Sequence, residues 1–268
     1  MALIAAADPD AELVAASTGN HGIAVATAAA RHRMRLTVLV GASISPAKLE
    51  RLRALESDSC VVEICGRDSD DAEAEARRRD TERIAIYVAP YNDPDVIAGQ
   101  GTIGAEILDD WPECDAMLVP IGGGGLISGI GLWARAVKPD LRLVGVQPSA
   151  SPPMYAYLQS NSTRPMPIAP TLADGVAGNI ERDSITWKMC RQLVDEVVLV
   201  DEDAIAAAMR WAWNGPRYRL EGSGTLGIAA LLTGRLGNIA GHRVAVVLSG
   251  GNVDEATFEA ALTGSMGA

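Results

Sequence analysis

Along the 268-residue chain, short β-branched apolar runs alternate with longer stretches in which apolar positions recur at helical spacing. Strands that are apolar at nearly every position are buried on both faces, so this alternation predicts parallel sheets with helices on both sides. Residues 13–16, 36–40, 61–64, 84–88, 117–120, 143–147, 197–200 and 244–248 are read as strands. Helices are predicted over 23–33, 46–55, 126–137, 203–213 and 225–236, with Gly or Pro at several boundaries. The first four strand–helix units end near Pro90 and can close a small sheet by themselves. The remainder would form a second sheet, and a ligand is expected in the cleft between the two. Pro, Ser and Thr cluster at 149–153 and 161–170, where regular structure should lapse. The sequence contains no internal repeat and no low-complexity tract.

Composition narrows the partners. Apolar residues make up 48% of the chain and charged residues 21%, as in an ordinary globular protein. The N-terminal apolar run 2–7 is cut by Asp8-Pro9-Asp10 and is too short for a signal peptide or a membrane span. A formal charge of -11 repels nucleic acid and anionic lipid, so neither is expected as a partner. A small molecule held by local donors fits better. The four cysteines lack C-x-x-C spacing and a nearby histidine, so zinc is not expected; reduced thiols in a cytoplasmic protein are.

Three strand-to-helix or strand-to-loop junctions carry candidate chemistry. Gly122, Gly123, Gly124, Gly125 and Leu126 follow strand 117–120 and open a helix. Consecutive glycines let several N–H groups converge at a positive helix terminus, a geometry that suits phosphate. The spacing matches neither G-x-G-x-x-G nor a Walker loop, and a turn needed only for packing remains an alternative. Ser17-Thr18-Gly19-Asn20-His21-Gly22 follows strand 13–16, at the edge of a parallel sheet where ligands bind. Its exposed amides could hold a carboxylate, or Asn or Ser could simply cap the helix. In Ser249-Gly250-Gly251-Asn252, a hydroxyl can meet a ring nitrogen while the glycines let the ring approach; alone, the segment is only a turn.

Together, three glycine-containing loops at the ends of three strands are what a flat phosphorylated ring needs. The chain resembles the threonine/serine dehydratase and serine racemase family of fold-type II pyridoxal-phosphate enzymes. The resemblance rests on S-T-G-N-H-G (17–22), P-Y-N-D-P-D-V-I-A-G-Q-G-T (90–102), G-G-G-G-L (122–126), T-L-A-D-G (171–175), E-G-S-G (221–224) and S-G-G-N-V-D (249–254), in the family's order across nearly the whole chain. It implies an α/β fold of two open, mainly parallel sheets flanked by helices, like the tryptophan synthase β chain. A small domain would span 12–90 and a large cofactor-binding domain 91–268, with 1–11 a remnant of the latter. It also implies that Asn20 bonds the 3-hydroxyl of pyridoxal 5'-phosphate, that 122–126 supply phosphate amides, and that Ser249 faces the pyridine nitrogen. Ser17, Thr18, Gly19 and His21 would hold the carboxylate of an amino-acid substrate. The implied activity is elimination of ammonia from a β-hydroxy amino acid such as threonine or serine, giving a 2-oxo acid, by a homodimer.

The chain also departs from the family. The Schiff-base lysine of relatives lies upstream of the asparagine loop, yet only sixteen residues precede Ser17, and the chain's three lysines are Lys48, Lys138 and Lys188. No catalytic residue is therefore assigned, and an N-terminally truncated, inactive fragment is expected, incomplete in its large domain and with exposed apolar surface and unpaired strand edges. The alternative is a non-catalytic protein that binds pyridoxal phosphate or an amino acid. Serine racemases carry a serine at the position of Thr18, which favours dehydration here over racemisation. The racemase-like cation site begins with carboxylates where this chain has Gln147 and Pro153, so no metal is expected there.

Overall fold

The computed structural model describes residues 4, 7–8, 10–17, 19–44, 46–237 and 239–264. They form two compact units, Met1–Val96 and Ile97–Ala268.

The first unit holds a parallel sheet of β1 (Glu12–Ala16), β2 (Arg35–Val40), β3 (Cys60–Ile64) and β4 (Ile86–Tyr87) in the order β3-β2-β1-β4. Helices α1 (Asn20–His32), α2 (Pro46–Arg53) and α3 (Ser69–Thr81) connect the strands. Central strands are apolar where they meet helices on both faces: Leu13, Val14, Leu36, Val38 and Leu39 are almost fully buried. Residues 13 and 36 pack toward α1 in one cluster, whereas Val14 and Leu39 pack with Ala72 and Ala76 of α3 in another. That division is the alternation of side chains across a strand made visible. Helix α3 is charged over most of its surface; Asp68 caps it by accepting from the amides of Asp70 and Asp71, and Glu75 bridges Arg78 and Arg79.

The second unit repeats the arrangement with β5 (Ala116–Pro120), β6 (Arg142–Pro148), β7 (Glu196–Val200) and β8 (Val244–Val246), in the order β7-β6-β5-β8. Its helices are α4 (Pro94–Asp110), α5 (Gly125–Val137), α6 (Pro153–Ser160), α7 (Thr186–Leu193), α8 (Glu202–Asn214), α9 (Leu226–Leu232) and α10 (Glu255–Thr263). Strand β5 is buried along its whole length, and each fully buried Leu or Val there stabilises the fold by roughly 1.5–3 kcal/mol. Helix α4 lies close on α5 because glycines line the contact. A methyl on Gly129 would overlap the Ile97 carbonyl, and one on Gly101 would stand 3.0 Å from the Gly129 carbonyl oxygen. The G-Q-G-T stretch of the 90–102 motif thus seats the helix that the tetraglycine opens.

All the strands read from the sequence are present, but β4 and β8, two of the four edge strands, are shorter than expected. β4 spans 86–87 instead of 84–88, and β8 spans 244–246 instead of 244–248. Beyond them a single ladder bond persists, from the Val88 amide to Val14 O (2.9 Å) and from the Val247 amide to Leu118 O (3.0 Å). Of the segment expected as one helix over 225–236, residues 226–232 form α9; a 3-10 turn, Gly222–Thr225, precedes it and 233–236 are turn. Regular structure lapses at 149–152 and 161–170, with α6 between them. Among the described residues, no helix is long and apolar enough to cross a membrane.

Candidate functional site

In each unit the strand order reverses beside the first strand, between β1 and β4 and between β5 and β8. At such a switch point the loops leaving the C-terminal ends of neighbouring strands part to opposite faces and leave a crevice. The candidate loops stand at these places.

In the second unit, β5 and β8 are neighbours in parallel register, with Leu118 beside Val246. The glycine loop leaves β5 and the 249–252 segment leaves β8 from the same edge, so the two start about 5 Å apart. Ile121 stays in the sheet through its amide bond to Val146 O (3.0 Å), and the chain then turns at Gly124, whose φ is +88°. A side chain would be strained in that backbone, and a methyl there would also press on Met154, Cys190 and Thr186. Helix α5 begins without a described side-chain cap and without an acidic residue in its first turn. Its first amides and partial positive charge therefore have no carboxylate of their own. Helices α3, α8 and α10, by contrast, begin with the caps Asp68, Asp201 and Asp254.

Two further motifs join this patch. A methyl on Gly122 would stand 3.0 Å from Cα of Val176, at the end of the 171–175 motif, and one on Gly175 would stand 2.9 Å from Ser223 Oγ. A methyl on Gly224 would meet the Gly250 carbonyl oxygen at 2.5 Å. Glu221, 7% exposed, accepts from the Asn252 amide at 3.1 Å, and its own amide donates to Gly250 O at 3.2 Å. Segments 122–125, 171–176, 221–224 and 249–252 therefore form one continuous surface. Ser249 is exposed on it. Ser223 is 2% exposed, and its Oγ meets no partner among the described residues, the kind of orphan that a bound polar group satisfies.

The asparagine loop belongs to the first unit and follows β1. Asn20 opens α1, which has no described side-chain cap; the Gly19 amide donates to Ser17 Oγ at 3.2 Å. Asn20 is exposed and engaged in an interaction of its own. His21 Nε2 lies 2.8 Å from the Val88 carbonyl oxygen, directly after β4, and ties the loop across the switch point. A carbonyl only accepts, so Nε2 carries the hydrogen. Burial lowers the His21 pKa, and the Val88 bond opposes that shift without cancelling it. The ring is thus neutral at pH 7, with Nδ1 bare. Thr18 lies outside the described residues.

Several side chains that brace the second unit's loops were not legible as site residues. Glu202 Oε2 accepts from the Leu172 amide (2.7 Å), Ser151 Oγ from the Gly178 amide (3.1 Å), and Thr186 Oγ1 donates to Gly123 O (2.6 Å). Gln147 is fully buried and uses both ends of its amide, donating to Ile121 O at 3.3 Å and accepting from the Tyr155 amide at 2.8 Å. Such partners sit far away in sequence and have no fixed spacing to a motif. Of the lysines, Lys138 stands at the far end of α5, about 20 Å from the glycine loop at 1.5 Å per residue, and donates to Pro112 O. Lys188 is exposed two residues after Thr186, on the opposite side of α7. Lys48, on α2 of the first unit, is half-buried and engaged.

A family model described as pyridoxal-phosphate dependent enzyme matches residues 1–250. The chain is 40% identical over 247 residues to an L-threonine ammonia-lyase of Geobacter sulfurreducens, covering 92% of this chain and 60% of that protein's length. It is 32% identical over 246 residues to a serine racemase of Oryza sativa subsp. indica, covering 90% of this chain and 71% of that one. Among solved structures, the processed form of threonine deaminase isoform 2 from Solanum lycopersicum superposes with a TM-score of 0.88 at 30% identity, over 97% of this chain and 76% of that chain.

Proposed function

This chain belongs to the pyridoxal-phosphate dependent enzyme family, and from that premise we propose that it carries the cofactor- and substrate-holding loops of an ammonia-lyase acting on threonine, serine or a similar β-hydroxy amino acid. The observation that carries the reading is the patch at the β5–β8 switch point. An uncapped helix terminus behind a tetraglycine, an exposed serine on the neighbouring strand's loop and a buried orphan hydroxyl suit a phosphorylated ring. The 40% identity to a threonine ammonia-lyase supports the reaction class.

In this reading the amides of 122–126 hold the phosphate, Asn20 the ring hydroxyl and Ser249 the pyridine nitrogen. When bound, pyridoxal phosphate draws electrons from the substrate's α-carbon. A serine at the ring nitrogen donates a hydrogen bond but no full charge, which favours prompt loss of the β-hydroxyl. Ser17, Thr18 and Gly19 with their amides hold the substrate carboxylate. His21, with its hydrogen given to Val88, has only Nδ1 free, an acceptor that repels a carboxylate; its part is to hold the loop. Glu221 orients the Asn252 end of the third loop through the 3.1 Å bond. The small and large domains correspond to 12–90 and 91–268, and the protein works as a cytoplasmic homodimer.

A second reading is favoured by the lysines. Lys138 and Lys188 both point away from the glycine loop, and Lys48 is half-buried and engaged on α2 of the first unit, so these 268 residues would supply the non-covalent part of the site and bind cofactor or amino acid without turnover. Addition of pyridoxal phosphate, borohydride reduction and intact mass, alongside assay of 2-oxo acid from threonine and serine, separates the two. Turnover with a pyridoxyl adduct supports catalysis by this chain; reversible binding with neither supports the holding role.

A further inference from the structure

The glycine loop leans on two buried hydroxyls that the preceding reading leaves without a role. Thr186 is fully buried as the first residue of α7 and places Oγ1 2.6 Å from the Gly123 carbonyl oxygen. A carbonyl has no hydrogen to offer, so the threonine hydroxyl donates. With that hydrogen committed, the 2.6 Å contact between Ser184 Oγ and Thr186 Oγ1 runs from Ser184 to Thr186. The Thr186 amide closes the arrangement by donating to Ser184 Oγ at 3.3 Å. The result is a directed chain, Ser184 to Thr186 to Gly123, in which each bond polarises the next.

The consequence follows from peptide geometry. In a planar trans peptide the C=O and the following N–H point in opposite directions, and the described residues contain no cis bond. Holding the Gly123 carbonyl against α7 therefore turns the Gly124 N–H to the opposite side. Gly124 precedes α5, so its N–H is one of the helix's unpaired amides. Were this peptide free to flip, a carbonyl oxygen would face an incoming anion instead.

We infer that Thr186, backed by Ser184, is a positioning residue that fixes the Gly123–Gly124 peptide with its N–H toward the anion side of the loop. This rests on the reading that the loop takes a phosphate. Thr186 also fills space, since a methyl on Gly124 would meet its Cβ at 3.1 Å. T186V keeps that volume and removes the donor, whereas T186S keeps the donor and loses the methyl.

The test measures the affinity of the whole chain for pyridoxal phosphate, together with the Gly123 carbonyl carbon and Gly124 amide nitrogen shifts in labelled protein. T186V is expected to weaken binding roughly tenfold and to move both resonances, as loss of a buried hydrogen bond predicts. T186S should stay within about twofold of the parent, and S184A should fall between them, because it removes only the outer donor. Equal affinity and unmoved resonances in T186V would overturn the inference, as would T186S binding as poorly as T186V. If T186V does not fold, S184A against T186S decides by the same two readouts. If the parent chain binds no pyridoxal phosphate, the cofactor reading fails by itself. The resonances then still decide whether the hydroxyl holds the peptide: a shift in T186V alone supports it, and no shift overturns it.

Discussion

The two units share one strand order and put a candidate loop after the first strand of each, yet they hold those loops differently. The asparagine loop after β1 is tied by His21 to Val88 and by Ser17 to its own backbone, and a methyl on Gly19 would meet nothing within 4 Å. The glycine loop after β5 is pressed by Val176, Met154 and Cys190, bonded by Thr186, and its helix sits on α4 through Gly129. The same topology thus yields one loop open at Gly19 but close-packed at Gly22, where a methyl would stand 2.9 Å from Ser17 O, and one held in addition by side chains from distant segments. An amino acid that comes and goes suits the first, and a retained phosphate suits the second.

The largest effect that would break this contrast lies beneath the glycine loop. G129V forces side-chain atoms into the Ile97 carbonyl and should destabilise the chain by about 3 kcal/mol. G19A, in the open loop, should leave stability within about 0.5 kcal/mol. Thermal melts of the pair check both, and similar losses would erase the difference. Next, E202A leaves the Leu172 amide without its acceptor and should cost about 1.5 kcal/mol while loosening the 171–176 segment. Amide exchange on that segment reads the change, and unaltered exchange would show that Glu202 does not brace it.

Smaller effects sharpen the other side. H21A removes the donor to Val88 and should cost about 1 kcal/mol at pH 7. Because the folded His21 pKa is lowered from 6.5, its contribution is full above pH 6.5 and is lost as pH falls from there through the folded value. Urea melts between pH 7 and pH 5 should therefore show an acid slope in the parent that H21A lacks. In the second unit, Arg243 holds the Asp115 carboxyl well below the usual carboxylate range. Its contribution, present above about pH 4, is lost only at stronger acid. Acidification should thus loosen the first unit's loop before the Asp115 end of β5–β8, and proton shifts of His21 and of the Arg243 amide report the order.

Much of this was written in local pattern. The runs at 36–40 and 117–120 became strands, because a strand buried on both faces is apolar at nearly every position and shows no helical stripe; Thr37, polar within the first run, is itself buried. The edge strands β4 and β8 were read too long, at 84–88 and 244–248, since apolar composition does not reveal where pairing stops. Helix α3 offers no stripe to read; only Ala72 and Ala76 are buried on it. The shared strand order was hidden for another reason: topology repeats here without any sequence repeat. At the site, glycine, asparagine and serine motifs announced themselves, whereas Thr186 and Glu202 act on backbone atoms 63 and 30 residues away. Such partners are chosen by the fold.

The most direct measurement is hydrogen exchange by mass spectrometry on the whole chain with and without pyridoxal phosphate. Protection is expected to concentrate in peptides covering 121–128 and 247–252, with helix 69–81 unchanged. Binding that protects other segments and leaves 121–128 unaltered would contradict the cofactor reading.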